Sequence, residues 1–445
     1  MPYSSGSRLP GESASKLGHL AVLQSDWVRS LVDEFESTVR PDGDASGTLW
    51  QNAPVGGQPL RSVWAVDGSF VPVRSDDRPP REVSFVKTAL LTLDKARLDE
   101  IDRDHPHPLL LQDIMANSAI FHATVLPLKN VKTPLGSNYD AVRNIIRDSM
   151  KVDEGGAFYE TLKWLAYRKW RTIPTSSPSF ACPHCHSEIT NGLPSDSDQG
   201  ICNDCKKPVF LTDMIGFHLD MDEDSAPDSV ASAYMLVMEH LMLFTAVRIL
   251  WSHSDRKVVS DSLFIKDGPL TLRGQYSKLV PNIREFLQLA QDENRPVHII
   301  GQEKSGAFFD HLASIASFAP PEQRGEKPTI APLSHGYVRR EVYRSPDLSN
   351  PYGMKTNWGE KAFVKFDPGT FLVLNIPTGE YDPRTDFPYL SDLIGVDRIM
   401  ATLPALISHK FEGALFPVEL ANGIASMSSY PSARILQRFL SDSSA

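Results

Sequence analysis

The chain has 445 residues, 41 % hydrophobic and 22 % charged, with a formal net charge of −10. This is ordinary globular composition with room for a sizeable core, and it excludes global disorder. The acid excess opposes binding to a polyanion unless basic residues gather locally. No apolar run reads as a bilayer span. The N-terminal MPYSSGSRLPGESASK lacks the basic start and apolar centre of a signal peptide. A cytoplasmic protein without membrane association is expected.

Residues 1–16 are small and polar and read as a disordered tail. From Ala14 to Val39, apolar residues including Leu17, Leu20, Leu23, Trp27, Leu31 and Phe35 recur near helical spacing, so residues 17–60 read as a helix followed by a Gly/Pro/Asp-rich loop. Ser62 to Val66 is a β-prone run ending in Asp67-Gly68-Ser69. Phe70 to Val73 and Val83 to Leu93 follow as the start of a meander at a sheet edge. Asp140 to Trp170 has helical texture broken at Gly155-Gly156. A Pro/Ser linker, Pro174 to Ala181, then leads into a block at 182–210. Asp228 or Ser229 suits the N-cap of an apolar helix running to Trp251. Ser262 to Lys266 is a β-run ending in Asp267-Gly268-Pro269-Leu270. Leu279 to Gln291 reads as a helix, Val297 to Gly301 as a strand, and 318–334 as a Pro-rich loop. Lys361 to Pro377 reads as two strands around Pro368-Gly369, with helices expected over Leu390 to Ser408 and Leu420 to Leu440. The mixture implies an α/β core, a mixed sheet flanked by helices, with insertions.

All four cysteines lie in the 182–210 block, as Cys182-Pro183-His184-Cys185 and Cys202-Asn203-Asp204-Cys205. Two CxxC knuckles offer four thiolates to tetrahedral Zn²⁺, and the polar stretch between them has no core of its own. A structural zinc ribbon is expected. His184 and His186 are alternative ligands, but four thiolates are the simpler set. The ribbon serves either as a staple for the insertion or, with Lys206 and Lys207 beside it, as a docking surface.

Asp67 and Asp267 each stand where a β-prone run meets glycine, which is also the commonest turn signal. Between them, the helix over 229–251 contains one acid, Glu239, whose neighbours on the same face are Ser232, Met235, Leu243 and Ala246. A carboxylate there needs a partner. A divalent cation would serve, and so would Arg248 or a distant basic residue. His240 could be a satisfied core histidine. Asp67, Glu239 and Asp267 together would form an oxygen-rich site for Mn²⁺ or Mg²⁺, suited to phosphodiester hydrolysis.

The order of these features resembles the NurA nucleases: Val66-Asp67-Gly68-Ser69, a Glu-bearing apolar helix, Asp267-Gly268-Pro269-Leu270, then Ile300-Gly301-Gln302-Glu303-Lys304-Ser305 and the paired strands up to Ile376-Pro377. The resemblance spans about 60–425 and implies an RNase H-like nuclease domain over 61–425. The four-cysteine zinc-ribbon insertion lies inside that domain, and a C-terminal helix and tail over 426–445 follow it. It implies Mn²⁺-dependent DNA cleavage, homodimers, and docking on the hexameric ATPase HerA, in DNA-end processing for repair or in antiviral defence. A catalytically weak DNA-binding adaptor of that ATPase is the alternative. Carried over by residue, Asp67, Glu239 and Asp267 match the metal-binding carboxylates. Lys304 matches a lysine that could hold a phosphate oxygen, or is an ordinary solvated lysine. The family's late His or acid falls on Asn422 or Ile424, with His409, Asp392 or Asp397 as possible substitutes.

Overall fold

The computed structural model describes residues 25–34, 50–94, 107–173, 175–315, 328–345, 351–367, 369–380, 388–408, 413–427 and 432–442, with a few single positions between. Two compact units are present, Met1–Ala45 and Ser46–Ala445. In the first, Asp26–Glu34 (α1) is helical, inside the run whose spacing predicts a helix. The 1–16 tail lies outside the described residues.

The second unit is built on a nine-stranded sheet. Its members are Gln51–Asn52 (β1), Ser62–Arg74 (β2), Glu82–Asp94 (β3), Ala119–Lys129 (β4), Ser262–Asp267 (β9), His298–Glu303 (β10), Thr329–Pro332 (β11), Glu360–Asp367 (β12) and Thr370–Ile376 (β13). Between β4 and β9 in the chain come the four short strands of the cysteine block, Phe180–Ala181 (β5), Glu188–Ile189 (β6), Gln199–Ile201 (β7) and Pro208–Phe210 (β8). The order in the large sheet is β1-β11-β12-β13-β10-β9-β2-β3-β4. Strands β2, β9 and β10 run parallel at the centre, and the rest pair antiparallel. This is the expected mixed α/β sheet flanked by helices, with a cysteine-rich insertion.

Helices flank both faces. The longer ones among the described residues are Pro108–Asn117 (α2), Asn138–Val152 (α3), Ala157–Ala166 (α4), Asp228–Trp251 (α5), Val280–Asp292 (α6), Ala307–Ile315 (α7), Val396–Thr402 (α8), Phe416–Ala425 (α9) and Ser432–Asp442 (α10). One core joins α3, α4, α5 and α6 to Val66, Val86 and Phe264 on one face of the sheet. A second core joins α8 and α9 to Val63, Ala65, Leu263 and Ile265 on the other. Alternation along β2 and β9 thus sends odd-numbered residues toward α9 and even-numbered ones toward α5.

Every residue of α5 from Val237 to Val247 is buried. Contrary to expectation, its length and hydropathy match a membrane span, yet most of that apolar stretch is buried inside the fold. A helix apolar all round is what a helix wedged between a sheet and other helices requires. Neither Asp228 nor Ser229 caps it. Pro227 takes the cap position with no side-chain bond, and Asp228 sits in the first turn, where the helix dipole favours an acid.

Further expectations need correction. The runs on either side of Asp67-Gly68 are one strand, because β3 pairs with β2 without interruption from Ser62↔Asp94 to Arg74↔Glu82. The Pro-rich segment expected as loop contains β11, which is stabilised by ladders to β1 and β12 on both sides. The last expected helix is two, α9 and α10; α9 ends at Ala425, where Ser426 turns to an extended conformation at φ −60, ψ 127. The helix expected over Leu390 to Ser408 is an α-helix only as α8, entered through Gly395 at φ 66 and followed by a 3-10 turn at Pro404.

Candidate metal centre and active site

The parallel pairing of β2 with β9 ends at Val66↔Lys266. Beyond it, β9 turns away through Asp267-Gly268-Pro269, with Gly268 at φ 80 donating its N–H to the Gln302 carbonyl at 2.7 Å. The turn hugs β10 closely, and a Cβ on Gly301 would lie 2.7 Å from the Gly268 carbonyl oxygen. From Asp67 onward β2 therefore has an open edge toward β9, which also makes Pro72 tolerable. Asp67 is the first residue in that opening. In continued register it lies beside Asp267, and by alternation both face α9.

Asp67 is only 5 % exposed. Burial pushes its carboxyl up to about 8; Asp267 and then Glu239 add to the rise, while the Gly68 N–H and Lys304 oppose it. The Gly68 N–H donates to Asp67 Oδ1 at 2.7 Å. Lys304, just past β10, pairs with Asp267 Oδ2 at 3.0 Å.

Glu239 comes from the α5 side. Gly68 has no side chain, and its absent Cβ would meet Glu239 Oε1 at 2.8 Å and Met235 Cγ at 2.7 Å. That gap brings Glu239 against the strand beside Asp67. Its other oxygen, Oε2, pairs with Lys266 Nζ at 2.7 Å, with both side chains buried. Burial raises the Glu239 carboxyl and Lys266 opposes the rise. The basic partner is thus Lys266, not Arg248, which bonds the Thr161 hydroxyl and the Ala157 carbonyl. His240 Nδ1 donates to the Leu236 carbonyl at 2.7 Å, and burial lowers its pKa to about 3, so it is a neutral core histidine.

Glu419 is a candidate that the sequence alone did not single out. It lies in the first turn of α9 and is half-buried. Its Oε1 is buried without a hydrogen-bond partner among the described residues. Burial raises its carboxyl, opposed by Ser408, Lys410 and Lys304. Lys304, which pairs with Asp267, thus also acts electrostatically on Glu419. The start of α9 is fastened to β10 by Gln302, whose amide bonds the Gly413 carbonyl at 2.5 Å and the Leu415 N–H at 3.2 Å. The only available signal was an acid one turn into a Pro-initiated helix. Asn422 is exposed one turn further along, and the Ile424 carbonyl accepts from Lys87 at 2.6 Å. Asp397 lies near His298 at the start of β10, and Asp392 accepts the Tyr389 N–H at 2.7 Å, so both are engaged away from the carboxylates. His409 lies outside the described residues.

Among the described residues only the four cysteines already lie at metal-ligand spacing; Asp67, Asp267, Glu239 and Glu419 offer only hard oxygen, which fits Mn²⁺ or Mg²⁺. Holding one carboxyl protonated near neutral pH is what crowded acids do when no cation neutralises them.

The cysteines form a second centre. Strands β5 with β6, and β7 with β8, make two matching hairpins. In each, the residue after the second cysteine turns its N–H back to the first. His186 N–H bonds the Cys182 carbonyl and Lys206 N–H the Cys202 carbonyl, with both residues at positive φ. The four Sγ atoms lie within 4.8 Å of one another, and the Cys182–Cys205 and Cys185–Cys202 separations are 3.7 Å. A tetrahedron of thiolates about zinc has edges of about 3.8 Å, so the cluster is compatible with a zinc ribbon. His184 is engaged elsewhere, with Nε2 3.0 Å from the Pro208 carbonyl. Cys182, Cys202, Leu193 and Val209 join the main core. Beneath them Arg143 grips Asp213 through two bonds of 2.9 and 2.8 Å, and Tyr139 donates to the Pro183 carbonyl at 2.6 Å. Lys206 and Lys207 are exposed.

No family model and no curated protein matches the chain. Among solved structures, the NurA nuclease from Sulfolobus solfataricus is similar at 11 % identity and a TM-score of 0.36, over 95 % of each chain. A NurA structure bound to dAMP and manganese is similar at 12 % identity and a TM-score of 0.29, over 96 % of this chain and 97 % of that one.

Proposed function

We propose that this chain is a divalent-metal-dependent nuclease that hydrolyses phosphodiester bonds in DNA. The observation that carries the reading is a buried Asp67 close enough to Asp267 and Glu239 to feel both charges, with Lys304 on Asp267, where β9 leaves β2. Asp67 and Asp267 would hold Mn²⁺ or Mg²⁺, with Glu239 Oε1 and Glu419 as further oxygens. When bound, such an ion supplies Lewis-acid activation of water and phosphate. The chain's own residues do the rest. Gly68 lets the carboxylates converge, the Asp67-to-Gly68 bond fixes one oxygen, and Lys304 offers a point charge to a phosphate oxygen. The four cysteines would hold a structural Zn²⁺ that pins the insertion, and the core packing of Cys182 and Cys202 favours this staple role over a docking surface.

The test is cleavage of linear DNA with Mn²⁺ by wild type and Asp67→Ala. A loss of at least about 100-fold is expected, the scale for removing a group that stabilises developing charge; equal activity would sink the assignment. RNA of the same sequence, run in parallel, decides the substrate. Assembly as a homodimer and docking on a HerA-type hexameric ATPase, in repair or antiviral defence, belong to the same proposal and rest on motif order. Coupled purification with such an ATPase tests them. A second reading, a catalytically weak DNA-binding adaptor, is favoured by one observation: the buried Lys266 ammonium already occupies Glu239. Full activity of the zinc-loaded, Mn²⁺-supplied protein would remove it.

A further inference from the structure

We infer that Lys266 is a built-in cation of the carboxylate site, so that the site takes a single divalent ion rather than two. The inference rests on the reading of Asp67 and Asp267 as metal ligands. Lys266 and Asp267 are neighbours on β9 and so point to opposite faces of the sheet. Asp267 faces α9 beside Asp67, while Lys266 reaches to Glu239 on α5. Its Nζ lies 2.7 Å from Glu239 Oε2, and the two side chains are 2 % and 4 % exposed. The same Nζ donates to the Asp267 carbonyl at 2.5 Å, and a Cβ on Gly268 would lie 3.7 Å from it. The ammonium is therefore seated under the Asp267-Gly268 turn, between that turn and Glu239.

A buried ammonium paired this way is not displaced at small cost, because either partner left alone is an uncompensated buried charge. Lys304, on the other face, pairs with Asp267. Two fixed ammonium groups carry the formal charge of one divalent ion. With Lys266 holding Oε2, Glu239 keeps only the oxygen that rests against Gly68. Besides that Oε1, the oxygens on offer to a cation are those of Asp67, Asp267 and Glu419 on the α9 side, with Lys304 already on Asp267 Oδ2.

The experiment counts bound Mn²⁺ on the zinc-loaded, full-length protein by electron paramagnetic resonance, without DNA and without an activity readout. Wild type should bind one Mn²⁺ per chain. Lys266→Met should bind two, with a larger rise in melting temperature on adding Mn²⁺ than wild type shows. Two ions in wild type, or one in Lys266→Met, overturn the inference. No bound Mn²⁺ in wild type overturns the metal-site reading itself. The wild-type count needs no variant, and Lys266→Gln repeats the comparison if the methionine variant does not fold.

Discussion

Replacing Asp67 by Asn should make the Mn²⁺-free protein more stable while abolishing its response to Mn²⁺. Asn keeps the acceptor for the Gly68 N–H, which now lies 2.7 Å from Oδ1, and removes the ionisable oxygen. In the folded chain the carboxyl is raised from 3.8 to about 8 by burial, Asp267 and Glu239. Because the folded value is the higher one, the proton's contribution to stability is fully present below the unfolded value. It is lost as pH rises toward the folded value. At pH 7 the unfolded chain has released a proton that the folded chain still holds. The gap between 3.8 and 7 then corresponds to roughly 4 kcal/mol against the native state. For the unit Ser46–Ala445, an unfolding entropy of about 2.1 cal/mol/K per residue turns that into a melting shift on the order of 5 °C. Calorimetry of zinc-loaded wild type and Asp67→Asn from pH 5 to pH 8, with and without Mn²⁺, measures both effects. The Asn variant should melt higher without Mn²⁺, by a margin that widens with pH, and Mn²⁺ should raise only the wild type. A margin that is absent or independent of pH would refute the placement of Asp67 as a crowded, buried carboxyl.

Other outcomes follow from the same geometry. Mn²⁺ affinity should climb about tenfold per pH unit up to about pH 8 and then level, since Asp67 must release its proton to bind a cation; titration calorimetry showing a flat affinity counts against this. Gly68→Ala places a methyl 2.7 Å from Met235 Cγ and 2.8 Å from Glu239 Oε1, so it should cost about 1–3 kcal/mol and weaken Mn²⁺ binding. An unchanged denaturant midpoint would contradict the close approach. Glu419→Gln should lower nuclease activity by about 10–100-fold, the range for groups that tune a metal site, and wild-type rates would place Glu419 outside it. Removing zinc, or Cys205→Ser, should raise hydrogen exchange in α3 as well as in 182–210, because Cys182 and Cys202 belong to the main core. Exchange confined to the ribbon would show that it is independent.

Much of the candidate site was legible in one dimension. Glycine after an aspartate at the end of an apolar run marked both Asp67 and Asp267, and a single acid in an otherwise apolar helix marked Glu239. Paired CxxC spacing marked the cysteine cluster, since a knuckle is a local structure whose ligands are set by chain spacing. Long apolar runs such as α5, β12 and β13, and the helical spacing of α6, were legible because they too are local patterns.

What spacing could not carry were the partners across the sheet. Lys266 read as an ordinary strand residue until register placed it opposite Gly301 and next to Val66, with its side chain toward α5. Glu419 became a candidate only when Gln302 tied the start of α9 to β10. Asp67 looked like the end of a strand, but it is mid-strand on β2; the neighbour β9 is the one that ends. Chain order alone set which residues carry charge, thiol or apolar surface and at what local spacing. Which of those charges meet in a low-dielectric interior was settled only by folding, and there the identity of the neighbour outweighs the residue's own chemistry.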